Sequence, residues 1–454
     1  MRADQFDVVV IGAGAGGIIA SWRAASLGAR VLLLEKTPRI GTKILISGGG
    51  KCNVAHAGPL ADVINAFPPN EAKFIRPACY RLTNEEIMNL IRDRGIELMS
   101  RPDGRVFPVD ATAKDVVAAL VWYLRGANVR VCLETPVSLI QRSPEGYEIT
   151  ISARQEVKAS RDDGPGFGAK SLLREAMRLR SDFGSVWSGP ERFVASCVVV
   201  ATGGSSYPNS GTTGDAWKWL RELGHTVVPV RPALAPIYLT EPLVERSGVA
   251  LVSVRLKARS EGKIFAESTG DLLFTHQGIS GPAVLQISRA VAAQSSPVTL
   301  EVDPLPQMNP EFLFESFTAF VSKNPRVPVR SFLEHWVSPQ SMIATVSGWA
   351  QVIPSTTGGQ FTRKDRSRLL TTMRAWPLGP VRAVPLERGE VVAGGVSLEE
   401  VDPHSMESRL NPGLFLCGEL LDVAGPVGGY NLQAAFATGY VAGESAARMA
   451  LGSG

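Results

Sequence analysis

The stretch DVVVIGAGAGGIIASWRAASLGARVLLLEK, Asp7 to Lys36, decides the fold. Asp7 to Ile11 is a short apolar run of the length and composition of a buried parallel strand. It breaks at Gly12-Ala-Gly14-Ala-Gly16-Gly17, which fits G-x-G-x-x-G. Residues at helical spacing follow (Ile18, Ile19, Trp22, Ala25, Ser26), ending at Leu27-Gly28. Gly28 suits the position just past a helix, where positive φ costs glycine little. A second apolar run, Val31 to Leu34, ends at Glu35. The whole is one βαβ unit of about 30 residues.

Each part has a physical task. Gly12 permits the tight turn out of the strand, Gly14 lets a pyrophosphate approach the backbone, and Gly17 lets the helix lie close to the strand. The helix N-terminus offers free N–H groups and about half a unit of positive charge. Glu35, roughly 20 residues on, can accept hydrogen bonds from both hydroxyls of a ribose and disfavours a 2′-phosphate. The expected ligand is an adenine dinucleotide of the NAD or FAD kind.

Size and charge bound the rest. At 454 residues the chain is longer than one domain usually is. It carries 47 basic against 43 acidic residues with no Lys/Arg run, which does not point to nucleic acid. No apolar stretch reaches the roughly 18 residues of a membrane span. Asp4 and Asp7 stand where a signal peptide needs basic residues, so a cytoplasmic location is expected. Cys52, Cys79, Cys132, Cys197 and Cys417 are far apart with no C-x-x-C, which argues against structural metal or a disulfide framework.

After Glu35 comes GTKILISGGGKCN, Gly41 to Asn53, read as a glycine-rich loop presenting backbone N–H groups to a flat or anionic ligand. Lys43 and Lys51 bracket it with charge. Cys52 has no His or second Cys beside it and reads as a packed or ligand-adjacent thiol. Helices are expected over Asn84 to Gly95, with Asn84 as N-cap, and over Asp110 to Leu124. Strands are expected over Val129 to Leu133, Tyr147 to Ile151 and Phe193 to Ala201, with a turn at Glu134 to Val137. The last of these strands opens onto Thr202-Gly203-Gly204. Arg154 to Arg192 is rich in charge and glycine and reads as a surface insertion. From Ser205 the pattern is strands separated by Pro- and Gly-rich turns. Within it LLFTHQGISGP, Leu272 to Pro282, reads as a loop before a helix. Pro310 to Pro377 reads as helical. The end returns to α/β: strand Leu414 to Cys417, then Gly418-Glu419, Asp422, and a glycine-rich loop opening the small-residue helix that runs to Ala446.

Three nucleotide-type strands thus stand at the start, middle and end of the chain, so the middle is an insertion. GTKILISGGGKCN, LLFTHQGISGPA and GLFLCGELLDVAGPVGGYNLQAAFATG together resemble the bacterial BaiN-like flavoproteins, which include bile-acid-type enone reductases and aminoacetone-oxidase-like enzymes. The resemblance implies an α/β fold: a Rossmann-like, glutathione-reductase-like FAD domain interrupted by a β-barrel-like domain with a helical subdomain. The expected boundaries are 1–204 with 381–454 for the FAD domain, 205–309 for the β-rich insert and 310–380 for its helical subdomain. Carried over by motif, the FAD contacts are Gly12, Gly14, Gly17, Glu35, Lys36, Lys43, Ser47, Gly48, Gly49, Lys51, Cys52, Asn53, Val137, Ala201, Thr202, Gly203, Gly418, Glu419, Asp422, Gly429, Tyr430, Asn431, Leu432 and Gln433. Lys51 departs from the family's usual Arg, replacing a planar fork with a point charge. No metal is implied.

A second G-x-G-x-x-G is missing from the chain, so NAD(P)H is expected only as a transient electron donor, without a domain of its own. The first functional reading is an FAD-dependent reductase passing hydride to an activated alkene, such as an enone of a small or steroid-like molecule. The second is an oxidase of a small amine, producing peroxide. The third is a flavin-binding module without turnover. An enone reductase needs a proton donor near the substrate, and His276 and Tyr430 are the candidates. The partner expected is a small molecule; nucleic acid is not expected, and the oligomeric state is left open.

Overall fold

The computed structural model describes residues 4–152 and 192–452. The charge-rich segment expected as a surface insertion falls outside them, apart from Arg192. The chain divides into two compact units, Met1–Val230 with Val391–Gly454, and Arg231–Glu390. The boundaries therefore fall later than the expected 204 and 380. The Asp215–Glu222 helix belongs to the first unit because its Trp217 indole N–H donates to the Leu420 carbonyl at 3.2 Å.

In the first unit the strands before the insert are β1 (Asp4–Ile11), β2 (Val31–Leu34), β3 (Ala55–His56), β4 (Leu98–Ser100), β5 (Arg105–Pro108), β6 (Arg130–Cys132), β7 (Val137–Ser143), β8 (Gly146–Ile151) and β9 (Arg192–Val200). The strands after it that matter here are β17 (Val391–Val396) and β18 (Leu414–Leu416). The main sheet runs β6-β2-β1-β9-β8-β7, with β18 also on β9. β6, β2, β1, β9 and β18 are mutually parallel, whereas β8 and β7 continue the sheet antiparallel. Besides β1 on one side, β9 serves two partners on the other: Arg192 to Ala195 pair with β8, and Val198 to Val200 pair with β18. The apolar runs Val8 to Val10, Val198 to Val200 and Leu414 to Leu416 are fully buried, as strands covered on both faces must be.

Register places the site. Ile11 pairs with both Leu34 and Val200, and Val200 pairs with Leu416. The residues that follow (Gly12, Glu35, Ala201 and Cys417-Gly418) therefore leave the same carboxyl edge side by side, where open α/β sheets bind their ligands. Above that edge the Ala15–Ser26 helix packs on the Tyr430–Ala450 helix with backbones touching. A β-carbon on Gly439 would lie 2.3 Å from the Gly16 carbonyl, and one on Gly443 2.2 Å from that of Ala20. The small residues of the last helix are there for this approach.

Local chemistry corrects four expectations. Thr42–Ile46 is helical, and the glycine turn begins only at Ser47. Thr83, not Asn84, caps the Asn84–Arg92 helix, because Glu86 stands three residues on and closes a capping box. The Asn84 amide instead donates to the carbonyls of His56 and Gly58, at 2.9 and 3.0 Å. Val137 begins a strand rather than completing a turn. Leu272 to Thr275 close a strand, so LLFTHQGIS is a hairpin with His276-Gln277 at its tip.

The second unit is a closed six-stranded barrel, β11 (Ile237–Leu239), β14 (Gly278–Ser280), β13 (Lys263–Thr275), β12 (Ala250–Ser260), β15 (Val298–Asp303) and β16 (Trp376–Ala383) in spatial order. Helices Pro310–Lys323, Arg330–Trp336, Ile343–Ala350 and Arg363–Arg374 share one core with it, from Leu256 and Phe274 to Phe317, Phe332 and Met373. Arg374 clamps buried Asp303 with two bonds, at 3.0 and 2.7 Å. Among the described residues no helix is long and apolar enough to cross a membrane.

Candidate functional site

The first glycine turn shows what each glycine faces. A β-carbon on Gly17 would stand 1.8 Å from the Gly12 carbonyl oxygen, and one on Gly12 2.6 Å from that of Ala201. One on Gly14 would meet nothing within 4 Å. The protein's own packing thus demands glycine at Gly12 and Gly17, while Gly14 leaves a bare face for something that is not protein. Gly14 caps the Ala15–Ser26 helix without any side-chain cap, and no acid occupies its first turn. The Tyr430–Ala450 helix, capped by Gly429, likewise has neither. Both helix starts keep donors and partial positive charge for an outside acceptor.

Glu35 is buried at the end of β2 and ties the turn together. Its Oε2 accepts the Ala13 N–H and its Oε1 the Thr37 N–H, each at 2.7 Å. Burial pushes its carboxyl above the usual range, against the pull of those two amides. Each oxygen keeps further acceptor capacity, which is what two ribose hydroxyls need. Lys36 turns elsewhere: its Nζ donates to Thr213 Oγ1 and Asp215 Oδ2, both at 2.5 Å. Burial raises the Asp215 carboxyl, but the bonds from Lys36 and Thr213 outweigh it and hold it below the usual range.

At the other end, Lys43 Nζ donates to Ser206 Oγ at 2.6 Å and Glu419 Oε2 at 2.5 Å. Glu419 Oε1 accepts from Ser206 Oγ at 3.1 Å and from the Val392 N–H at 3.0 Å. Asp422 accepts the Gly394 N–H at 2.7 Å. The structure thus brings Lys43 and Glu419 together, with Ser206 as a member that sequence spacing did not suggest, while Glu419 and Asp422 both accept backbone N–H groups of β17. Ser47 to Gly50 form a tight turn in which Gly48, Gly49 and Gly50 have φ of 57°, 66° and 85°. Lys51 is exposed on it. Cys52 is fully buried and its thiol is pushed up to about 12 by burial, so it packs and is no nucleophile. Asn53 accepts the Val106 N–H at 3.1 Å, and Asn431 braces its own loop through Gly425 and Pro426. Val137 begins β7; Ala201 N–H donates to the Ile11 carbonyl at 2.9 Å, and Gly203 and Gly418 turn with φ of 74° and 72°. Leu432 lies half-buried in the first turn of the last helix.

Among the described residues, six buried side-chain polar atoms of this unit have no hydrogen-bond partner, on Ser21, Arg23, Arg39, Ser143, Thr202 and Gln433; two of them stand at the ends of the elements that frame the site, Thr202 Oγ1 just past β9 and Gln433 Nε2 in the first turn of the last helix. Orphaned groups of this kind call for a ligand. With the bare face at Gly14 they fit a dinucleotide bearing a polar ring system, whose phosphates the first helix would hold, whose ribose Glu35 would hold, and whose ring and side-chain polar groups Thr202, Glu419 and Gln433 would meet.

Tyr430 lies half-buried at the start of the last helix, stacked on His56 with ring centroids 4.3 Å apart. Its hydroxyl is 3.1 Å from His56 Nε2. Burial raises the phenol above its ordinary value, so it stays protonated at neutral pH. His56 was not singled out by sequence: it lies 374 residues away in the chain, and only its place three residues after Asn53 hinted at it. His276 is exposed at the tip of the β13–β14 hairpin in the second unit.

Comparison with known proteins decides the family. Residues 6–161 and 175–445 match the HI0933-like protein Rossmann domain. The chain belongs to the HI0933-like Rossmann family. Two relatives of this family member cover it almost end to end. The ribosomal RNA dihydrouridine synthase of Escherichia coli is 30% identical over 97% of this chain and 98% of its own. The 3-dehydro-bile acid delta(4,6)-reductase of Clostridium scindens is 30% identical over 96% and 98%. In fold it is similar to the 3-ketosteroid delta1-dehydrogenase of Sterolibacterium denitrificans, with a TM-score of 0.50 at 14% identity over 98% and 99% of the two chains. This HI0933-like protein is an FAD-dependent oxidoreductase. When bound, FAD supplies two-electron chemistry that no side chain here can perform.

Proposed function

We propose that this protein reduces a carbon–carbon double bond conjugated to a carbonyl, with NAD(P)H as a transient donor to FAD. The observation that carries the reading is Tyr430: a half-buried phenol stacked on His56 with its hydroxyl 3.1 Å from Nε2, at the start of a helix whose Gln433 Nε2 has no partner among the described residues. Adding hydrogen across an enone needs a hydride at one carbon and a proton at the other. Tyr430 is the proton donor favoured here over exposed His276. The names of the two relatives agree in chemistry. A bile acid delta(4,6)-reductase removes conjugated double bonds, and dihydrouridine is uridine whose ring double bond, also conjugated to a carbonyl, has been reduced. Two substrate classes follow: a steroid-like or other small enone, and the uracil ring of RNA. The second enters on the Escherichia coli relative's name, although the charge pattern had not pointed to nucleic acid.

The test is anaerobic stopped-flow mixing of the FAD-loaded protein with NADH, NADPH or a primary amine. Rapid bleaching by a nicotinamide is the expected result. Bleaching by the amine alone would turn the reading to an oxidase. Bleaching by no donor would leave a flavin-binding module.

A further inference from the structure

Around Tyr430 the hydrogen bonds have a direction that can be worked out. His56 Nδ1 lies 3.0 Å from the Gly428 carbonyl oxygen. A carbonyl only accepts, so Nδ1 carries a hydrogen. In the neutral ring Nε2 then holds the lone pair, and the Tyr430 O–H donates to it across 3.1 Å. One backbone carbonyl thus sets the imidazole tautomer, and the tautomer sets where the phenol hydrogen points.

The surroundings hold the ring in that role. A β-carbon on Gly104 would fall 2.3 Å from Nε2, and one on Gly428 would fall 2.8 Å from the Tyr430 ring and 3.3 Å from Nδ1. Two glycines from separate loops make the space that the pair fills. The backbone of His56 is fixed as well: its N–H donates to Gln433 Oε1 at 3.4 Å, and its carbonyl accepts from Asn84 at 2.9 Å. Phe67 closes the other side, edge-on to Tyr430 at 6.0 Å.

We infer that His56 is a positioning residue for Tyr430, one that aims the phenol hydrogen and restores it after each turnover. The inference rests on the reading of Tyr430 as proton donor. Protonation of His56 by water reverses the bond: Nε2–H donates to the phenol oxygen, and the phenol's own hydrogen turns outward. The reduced cofactor would supply a hydride for the new C–H bond at the far alkene carbon, leaving the π electrons on the carbon beside the carbonyl. That carbon takes the Tyr430 proton as the phenol O–H breaks. The Nε2–H proton then moves to the phenolate oxygen, and the imidazole is left neutral to take its next proton from water. Alkene plus two electrons and two protons gives the saturated ketone.

The experiment uses the FAD-loaded full chain and the variants His56→Phe, Tyr430→Phe and the pair. His56→Phe keeps an aromatic ring in the stack and removes both nitrogens. Reoxidation of the reduced flavin by cyclohexenone or a steroid enone is expected to slow at least about 30-fold in His56→Phe, a smaller loss than the about 10²–10⁴-fold worth of the acid itself. Reduction by the nicotinamide and KM for the enone should change less than about twofold, and the double variant should be no slower than Tyr430→Phe. Reoxidation at the wild-type rate in His56→Phe, or additive losses in the double variant, would overturn the inference. A second readout needs no turnover: nitrogen-15 two-bond spectra of labelled histidine. They should show His56 as the Nδ1–H tautomer, with the Nε2 resonance moving in Tyr430→Phe. An Nε2–H tautomer, or an unmoved resonance, would refute the positioning. Wild-type protein that reduces neither enone nor uridine would overturn the function and the proton return with it, while the spectra still decide whether His56 aims Tyr430.

Discussion

The two glycine-rich turns of the first unit look alike in sequence and are walled differently. In the turn from Gly12 to Gly17 the walls are mostly backbone, the Gly12 carbonyl for Gly17, Ala201 for Gly12 and the Ala435 carbonyl beside the Cys417 sulfur for Gly16, and Gly14 faces open space. In the turn from Gly425 to Gly429 the walls are largely side chains from elsewhere. Gly425 faces the Phe67 ring at 2.6 Å, and Gly428 faces Tyr430 and His56. One turn makes room for a phosphate, the other for an aromatic pair. Glycine spacing therefore identifies a ligand only where the walls leave a glycine facing open space.

The largest expected effect sets Gly17 against Gly14. Gly17→Ala drives a methyl into the Gly12 carbonyl and should cost more than about 4 kcal/mol, leaving insoluble or unfolded protein. At Gly14 the backbone is extended, with φ −79°, and a methyl has room. Gly14→Ala should melt like wild type without cofactor yet lose most of its flavin on gel filtration. Equal melting losses in both would erase the distinction between the turns.

This contrast also explains what was legible. The βαβ unit was readable because its strand, glycines, helix and Glu35 lie within thirty positions and each constrains the next. The three nucleotide-type strands were readable as signatures, and the register at Ile11, Leu34, Val200 and Leu416 is what joins them. His56 was not readable, since nothing local to it says that Tyr430 folds onto it. Nor was the use of Lys36, whose partners Thr213 and Asp215 stand 177 and 179 residues further along the chain. The cap expected at Asn84 moved to Thr83 because a capping box needs an acid three residues on, and Glu86 supplies it; Thr112 with Asp115 closes a second such box.

Next in size, Tyr430→Phe should lower kcat for alkene reduction by about 10²–10⁴-fold, the usual worth of a positioned acid. KM and flavin content should hold, because the ring still stacks. Loss of flavin instead would make Tyr430 a cofactor prop. Glu35→Ala at the first turn should weaken FAD retention by about 1.5–3 kcal/mol, as expected for a lost charged acceptor, read by equilibrium dialysis. Unchanged retention would remove Glu35 from the ribose.

The smallest effect lies where the helices of the two turns meet. Glu444 is buried and accepts from Arg23 at 2.7 Å, Arg81 at 2.5 Å and Arg448 at 2.8 Å. Burial raises its carboxyl, but the Arg23 and Arg81 bonds outweigh that and hold it below the usual range. Its folded pKa is lowered, so the unfolded chain takes the proton first. Its stabilisation is complete above the unfolded value of about 4.3 and is lost as pH falls through the depressed folded value. Glu444→Gln should cost about 1–3 kcal/mol at neutral pH, discounted for the exposure of Arg81 and Arg448, and flatten the acid limb of a melting series. An unchanged acid limb would place the titrating groups elsewhere.

The most direct measurement of the central claim is a single turnover without oxygen. Protein with FAD reduced chemically in one equivalent is mixed with a conjugated enone or with uridine-containing RNA, and flavin absorbance and product are followed together. The account expects the oxidised flavin spectrum to return with one reduced double bond per flavin. A flavin that stays bleached with every such acceptor, yet recovers at once when air is admitted, would contradict it.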